Sequence, residues 1–129
     1  MPIERIRRPA GLSQPGLYSH VVKAGNTVYI AGQVAMDERG ASVGKGDFAA
    51  QAEQVMQNLK SALVSVGATY DNLVKTTVFV TDVSNRQTLN DVRAKYLNPE
   101  ALAASTLVVV AGLASPDYLL EIEAIAVLD

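Results

Sequence analysis

The sequence predicts an α+β protein in which one β-sheet carries a layer of helices. Several short runs are rich in β-branched and aromatic side chains and are bounded by Gly, Pro, Asn or Asp, which is typical of strands. Two longer segments repeat apolar residues at spacings of three and four, which is typical of amphipathic helices. The order along the chain is strands, helix, strand, helix and two strands, and this order predicts a sheet with the helices packed on it.

The first part of the chain predicts three strands. Residues 1–8 are expected to form an edge strand. Residues 21–23 and 27–33 predict a hairpin, because Gly and Asn form a tight turn between the two apolar runs. Gly32 lies inside the second strand of this hairpin, where it indicates a bulge or the close approach of another group.

A long helix is predicted between Asp47, a favourable N-cap residue, and Gly67, a favourable residue just past a helix C-terminus. Its apolar stripe consists of Phe48, Ala52, Val55, Met56, Leu59, Ala62, Leu63 and Val66. This stripe predicts that the helix lies on the sheet. The polar residues of the helix, Gln51 among them, are expected to face water.

A strand at 74–81 and a second helix are predicted next. The strand is the most β-branched part of the chain. Ser84 followed three residues later by Gln87 has the pattern of a capping box, which predicts that the helix begins there. The helix is expected to stop before Pro99, and Asn90 lies one position off its apolar stripe.

The last part of the chain predicts two strands, at 105–113 and 119–128, paired as an antiparallel hairpin. Alternate residues give the final strand one wholly apolar face, while its other face carries Glu121 and Glu123 among apolar neighbours. The preceding strand is apolar on both faces, which is typical of strands that are covered on both sides.

These strands predict a sheet with one uncovered face. Two helices cover only one side, and the other side would expose more apolar area than soluble monomers tolerate. The sequence therefore predicts a homo-oligomer in which the bare faces pack together, with Glu121 and Glu123 near the subunit boundary. Pockets are common at such boundaries, and a carboxylate there is functional, ion-paired or exposed at the rim.

Composition argues against several classes of function. The 129 residues include no cysteine, which removes thiolate chemistry, and one histidine, His20, which argues against a His-rich metal site. The formal charge of −2 argues against nucleic-acid binding, and the cluster of Arg5, Arg7 and Arg8 is more typical of a solvated strand edge. The chain lacks membrane-spanning and secretion patterns, so we expect a single cytoplasmic domain over 1–129 without metal or cofactor.

Five short blocks of the sequence share the order seen in one known family. They are Tyr18–His20, Val28–Gln33, Val74–Asp82, Ser105–Leu113 and Glu121–Ala126. Together they resemble the reactive intermediate/imine deaminase (RidA) family, which also carries the name L-PSP endoribonuclease. The resemblance implies a chorismate-mutase-like mixed sheet with two helices on one face. It also implies a homotrimer with a small-molecule ligand in each cleft between subunits.

The resemblance further implies a reaction and the residues that perform it. Family members hydrolyse 2-imino or enamino acids to 2-keto acids and ammonia. A glutamate positions the water, and an arginine binds the substrate carboxylate. The glutamate corresponds to Glu121, the expected catalytic residue. The expected substrate-binding residues are Tyr18, His20, Gly32, Asn90, Ser105, Thr106 and Leu107.

One position departs from the family pattern. The arginine position falls on Ser105, whose single neutral hydroxyl does not replace a charged guanidinium fork. Leaving a buried carboxylate without its cation costs on the order of 2–5 kcal/mol, so ordinary 2-imino acids are expected to be poor substrates. We expect hydrolysis of a neutral or differently anchored imine or enamine instead. Glu121 would handle the water, and the hydroxyls of Ser105 and Thr106 would hold the substrate.

Two other functions stay open at this point. A non-catalytic trimer that binds a small metabolite would use the same cleft. An endoribonuclease would need acid and base groups beside a phosphate-binding cluster of cations, which one histidine and an acidic net charge fit poorly. His20 is either a second proton-transfer group or a surface or turn residue, and Tyr18 either lines the cleft or packs as an aromatic. We favour the hydrolase.

Overall fold

The computed structural model describes residues 2–129, which form a six-stranded sheet and two α-helices. The strands are β1 (Ile3–Ile6), β2 (Val21–Ala24), β3 (Thr27–Gln33), β4 (Leu73–Val80), β5 (Ala104–Val109) and β6 (Leu120–Val127). The helices are α1 (Phe48–Val64) and α2 (Arg86–Ala94). No helix within residues 2–129 is long and apolar enough to cross a membrane.

The sheet is mixed, with strand order β1-β2-β3-β6-β4-β5. All neighbouring strands are antiparallel except β4 and β5, which are parallel. The predicted α+β fold, with its edge strand at the N-terminus and its β2–β3 hairpin, is confirmed. The order predicts that β4, α2 and β5 form a crossover unit, because parallel neighbours cannot be joined by a tight turn.

The predicted hairpin between the last two strands is wrong. β5 lies at the edge of the sheet beside β4, whereas β6 is inserted between β3 and β4. The physical reason lies in β6, whose wholly apolar face gains most from a central position under the helices. Residues 110–119 therefore carry the chain past β4 instead of turning it back on β5.

Strand alternation gives the sheet two different faces. In β6, Leu120 and Ile122 are buried under the helices, whereas Glu121 and Glu123 point to the opposite face. The core on the helix side contains Val28, Ile30, Val55, Met56, Leu59, Leu63, Val78, Val80, Leu89, Val92, Leu120 and Ile122. The prediction that both helices lie on one face is confirmed.

The other side of the sheet, which we call the open face, bears Glu121 and several large apolar side chains. Tyr29, Val108 and Val127 are 49%, 37% and 41% exposed there. Phe79, which lies opposite Glu121 in the sheet register, is partly covered. No helix within residues 2–129 covers this face, and the homo-oligomer that would cover it stays a prediction.

The two helices begin differently. The predicted N-cap of α1 is confirmed, because Asp47 Oδ1 accepts a hydrogen bond from the Ala50 amide at 3.1 Å. The predicted capping box of α2 is wrong. The Ser84 amide instead donates to Asp82 Oδ1 at 2.9 Å and forms a short 3₁₀ turn, and α2 begins after it, at Arg86.

Gln51 was expected to face water but is buried, with 1% of its surface exposed. Its amide nitrogen donates to the carbonyls of Gly44 at 3.1 Å and Asp117 at 2.7 Å, and its oxygen accepts from the Leu119 amide at 2.9 Å. One side chain thus satisfies backbone groups on two loops. Gln51 thereby fixes the point at which the chain enters β6, two residues before Glu121.

Candidate functional site

Glu121 is the half-buried carboxylate of the open face. No donor of residues 2–129 forms a hydrogen bond or ion pair with it, and burial raises the pKa of its carboxyl above the ordinary value. The negative charge of nearby Glu123 raises this pKa further. A carboxyl group whose pKa is raised above the ordinary value holds a proton more readily than a free glutamate, which suits it to accept and return a proton in general acid–base chemistry.

Gly32 leaves room for this carboxylate. The register between β3 and β6 shifts between Ile30 and Gln33, so the predicted irregularity at Gly32 is confirmed as a bulge. A Cβ atom at Gly32 would lie 2.8 Å from Glu121 Cδ and closer still to Oε2. The φ angle of Gly32 is not positive, so the backbone conformation does not require glycine there. Glycine is required because a side chain would occupy the space of the Glu121 carboxylate.

Tyr18 and His20 lie close to Gly32. Together with Gly32 they line a cavity of about 40 Å³, which is the size of one or two water molecules. The Tyr18 ring is 49% exposed and packs edge-on against His20, with ring centroids 5.4 Å apart. Tyr18 therefore lines this small cavity and also presents part of its surface to solvent.

His20 is buried, with 3% of its surface exposed, so the interpretation as a surface histidine is wrong, although the residue does lie in a bend of the chain. Its Nε2 donates to the Ser13 carbonyl at 2.8 Å, and its Nδ1 accepts from Gln33 Nε2 at 3.1 Å. The carbonyl only accepts, so the hydrogen must lie on Nε2. Both ring nitrogens are engaged inside the protein, and His20 fixes the loop that carries Tyr18.

A second group of predicted residues lies on the helix side of the sheet, at the edge formed by β5. Ser105 and Leu107 point to this side, because they pair with buried Thr76 and Val78. Asn90 lies above them on α2, one turn before Arg93, which is not among the predicted site residues.

Arg93 joins the members of this second group. Its Nη1 donates to Ser105 Oγ at 3.4 Å, and its Nη2 donates to Asn90 Oδ1 at 2.9 Å. The only signal for this in the sequence is the spacing of three between Asn90 and Arg93, which places both on one side of a helix. The contact with Ser105 depends on how α2 crosses β5, and the sequence does not reveal that crossing.

Thr106 lies on the opposite side of β5 from Ser105. It pairs with Thr77 on the open face, and its hydroxyl accepts a hydrogen bond from Lys75 Nζ at 2.6 Å. Strand alternation therefore separates the hydroxyls of Ser105 and Thr106, which were expected to hold one substrate together. Within one chain, Thr106 belongs with Glu121 and Ser105 belongs with Arg93.

These features define a class of protein. It is a small α+β fold with helices on one face of the sheet, and its bare face carries a carboxyl group with a raised pKa beside a bulged strand. Comparison with known proteins identifies the class. The family model described as Endoribonuclease L-PSP matches residues 10–128. The chain belongs to this family, which confirms the resemblance to the RidA proteins.

Individual relatives agree with this placement. A RutC family protein of Pyrococcus horikoshii is 39% identical over 111 residues, which cover 86% of each chain. A rat protein named 2-iminobutanoate/2-iminopropanoate deaminase is 34% identical over 125 residues, which cover 97% of this chain and 88% of the relative. The crystal structure of RidA from Psychrobacter has a TM-score of 0.88 and 36% identity, covering 97% of this chain and 99% of that chain.

Replacing Gly32 by alanine tests the link between the bulge and the carboxylate. The new Cβ is expected to push the Glu121 carboxylate towards solvent, so that the pKa of Glu121 falls back towards that of an ordinary glutamate. NMR titration of the labelled Glu121 carboxyl carbon measures this. Gly112→Ala is the matched control, because a Cβ at Gly112 meets no atom within 4 Å. An unchanged Glu121 pKa in Gly32→Ala would show that the two residues are not coupled.

Proposed function

We propose that this protein is a hydrolase that converts an enamine or imine metabolite into the corresponding carbonyl compound and ammonia. The observation that carries the proposal is the half-buried Glu121 carboxyl, whose pKa is raised by burial and which no group of residues 2–129 neutralises. The deaminase name of the rat relative supports the same reaction at the level of the family.

Glu121 supplies the proton transfers that such a hydrolysis needs. The carboxylate takes a proton from water while the water oxygen bonds to the imine carbon, and it passes this proton to the imine nitrogen to give a carbinolamine. The carboxylate then takes the proton of the carbinolamine hydroxyl and passes it to the amine nitrogen as the carbon–nitrogen bond breaks. Ammonia and a carbonyl product leave, and Glu121 is again ionised. The sum is one imine and one water consumed.

The substrate must be anchored differently from an ordinary 2-imino acid in this family. Ser105 offers one hydroxyl where the family pattern has an arginine, and it lies on the opposite side of the sheet from Glu121. A cation that binds the substrate carboxylate is therefore not supplied by β5. The anchor must come from another element or from another subunit.

A homotrimer would bring the two groups of residues together. The open face needs a cover because Tyr29, Val108 and Val127 are exposed on it. Copies of the chain packed through these faces would set Glu121 and Tyr18 of one subunit near the β5 edge of the next. Each boundary would then hold a cleft for a small molecule, as the resemblance to the family implied.

The family description Endoribonuclease L-PSP raises RNA cleavage as a second function, but the side chains favour it less. Arg7 Nη2 donates to the Gly16 carbonyl at 2.8 Å, and Arg8 Nη2 donates to the Glu38 carbonyl at 3.2 Å. These two arginines hold loops in place and do not form a free phosphate-binding cluster. Both ring nitrogens of His20 are likewise occupied inside the protein.

Glu121→Gln tests the catalytic assignment. The variant keeps the shape of the side chain and loses its proton acceptor, so ammonia release is expected to fall by about 10²- to 10⁴-fold. The assay uses whichever freshly generated substrate the wild type hydrolyses, with 2-aminoacrylate as the charged probe and the methyl ester of 2-iminobutanoate as the uncharged one. Glu123→Gln is the matched control on the same strand face and is expected to stay active. Full activity of Glu121→Gln would end the assignment. Stabilisation of the wild-type protein by a ligand without any product would favour a non-catalytic binding protein.

The pH dependence of rate and stability follows from the raised pKa of Glu121. The carboxylate must be ionised to accept a proton, so the rate is expected to rise with pH through a pKa above that of a free glutamate. Glu123→Gln should move this rise to lower pH, because it removes a neighbouring negative charge.

Stability is expected to move in the opposite direction. The folded state holds the Glu121 proton more tightly than the unfolded state, so this contribution is present at low pH and is lost as pH rises through the folded pKa. Glu121→Gln should therefore be at least as stable as the wild type at pH 7, in thermal unfolding. The difference should vanish in acid below the ordinary glutamate pKa. If neither the rate nor the stability changed with pH across this range, the raised pKa of Glu121 would be contradicted.

A further inference from the structure

A cavity of about 200 Å³ lies between the helices and the sheet at the β5 edge, away from Glu121. Most of its lining is apolar and includes Met56, Leu59, Leu73, Leu97, Leu102 and Ile122. Its volume equals the share of about six or seven molecules in liquid water, at about 30 Å³ each. A short-chain organic molecule would fit, with its apolar part against these side chains.

Arg93 is the charged side chain in the lining of this cavity. Its guanidinium is partly buried, and burial lowers its pKa, with a further contribution from the positive charge of Arg86. No carboxylate of residues 2–129 forms an ion pair with it; its side-chain partners are the neutral groups of Asn90 and Ser105. A partly buried cation beside an apolar cavity is stabilised by a counter-ion, because removing an unpaired charge from water is costly.

The donors around the cavity are suited to an anion. A guanidinium has five N–H donors in a planar fork, and the contacts to Asn90 and Ser105 engage only part of them. Ser105 Oγ accepts from Arg93, so its own hydroxyl hydrogen is free to donate. Arg93 and Ser105 together can thus offer several hydrogen bonds to the two oxygens of one carboxylate.

We propose that Arg93 is the anion-binding residue of this protein and that the cavity takes a small carboxylic acid with an apolar side chain. Arg93 reaches from α2 to the hydroxyl of Ser105, so it delivers a guanidinium to the place where the family pattern would have supplied one from β5. The cation has moved from the strand to the helix, and Ser105 has become its hydrogen-bonding neighbour.

This inference rests on the proposed function only in one respect, namely that the bound acid is an imine or enamine. In that case the substrate is a 2-imino or enamino acid whose apolar side chain fills the cavity. Glu121 lies on the other side of the same sheet, so the Glu121 that acts on this substrate would belong to a neighbouring subunit. Binding of the carboxylate by itself requires none of this chemistry.

The experiment measures binding, so that it does not depend on turnover. In the Glu121→Gln protein, calorimetry compares 4-methyl-2-oxopentanoate with its uncharged methyl ester. The acid is expected to bind at least tenfold more tightly than the ester. Arg93→Gln on the same background should lower the affinity for the acid by about 30-fold or more. The affinity for the ester should not change, because only the charged contact is lost.

Three variants complete the test. Arg86→Gln is the matched control, since it removes one positive charge from α2 two turns away and does not line the cavity. It should change the affinity for the acid less than threefold. Arg93→Lys keeps the charge without the fork and should give an intermediate affinity. Adding Ser105→Arg to Arg93→Gln should restore much of the binding by returning a guanidinium from β5.

The proposal is overturned if the acid does not bind, if acid and ester bind equally, or if Arg93→Gln binds the acid as well as its parent. Thermal unfolding without ligand shows whether each variant is folded. The two proposals fail separately. If Glu121→Gln keeps full activity, the catalytic assignment falls and carboxylate binding by Arg93 stands. If Arg93→Gln binds the acid normally, this inference falls and the role of Glu121 stands.

Discussion

The helices cover only one face of the sheet, and both the proposed assembly and the proposed chemistry depend on this asymmetry. The central strand β6 buries one row of side chains under α1 and presents the other row, with Glu121 and Glu123, to the open face. Glu121 is partly buried within a single chain, and its pKa is already raised. A partner that covered the apolar part of this face would desolvate the carboxyl further and raise its pKa again.

The candidate site is divided between the two sides of the sheet. Glu121 lies on the open face against Gly32, and Tyr18 lines a small cavity beside Gly32, whereas Ser105 and Arg93 lie at the edge strand on the helix side. One chain does not unite these groups. Because β5 is an edge strand, its outer side is free. A second subunit can pack there and bring its own open face close to the cavity of the first. The proposed reaction therefore requires the proposed oligomer, because only two subunits together bring Glu121 close to Ser105 and Arg93.

Sequence patterns predicted the elements well, because periodicity reports which face of a strand or helix is buried. The bulge at Gly32 and the N-cap at Asp47 followed from local chemistry in the same way. Strand order was missed, since adjacent apolar runs resemble a hairpin and only the packing of the whole sheet places β6 at its centre. Gln51, His20 and Arg93 were misjudged or missed because their partners are backbone carbonyls or side chains distant in sequence, which residue type does not reveal.

Sedimentation velocity of the wild-type protein at micromolar concentration and neutral pH shows whether other copies of the chain cover the open face. We expect one species with three times the mass of the chain, because the open face is too apolar to remain in water. Charged substitutions at Tyr29 and Val127, which are 49% and 41% exposed on that face, should dissociate this species into folded single chains. A wild-type protein that sediments as a single chain would rule out the trimer and its clefts, since Glu121 would then face open solvent.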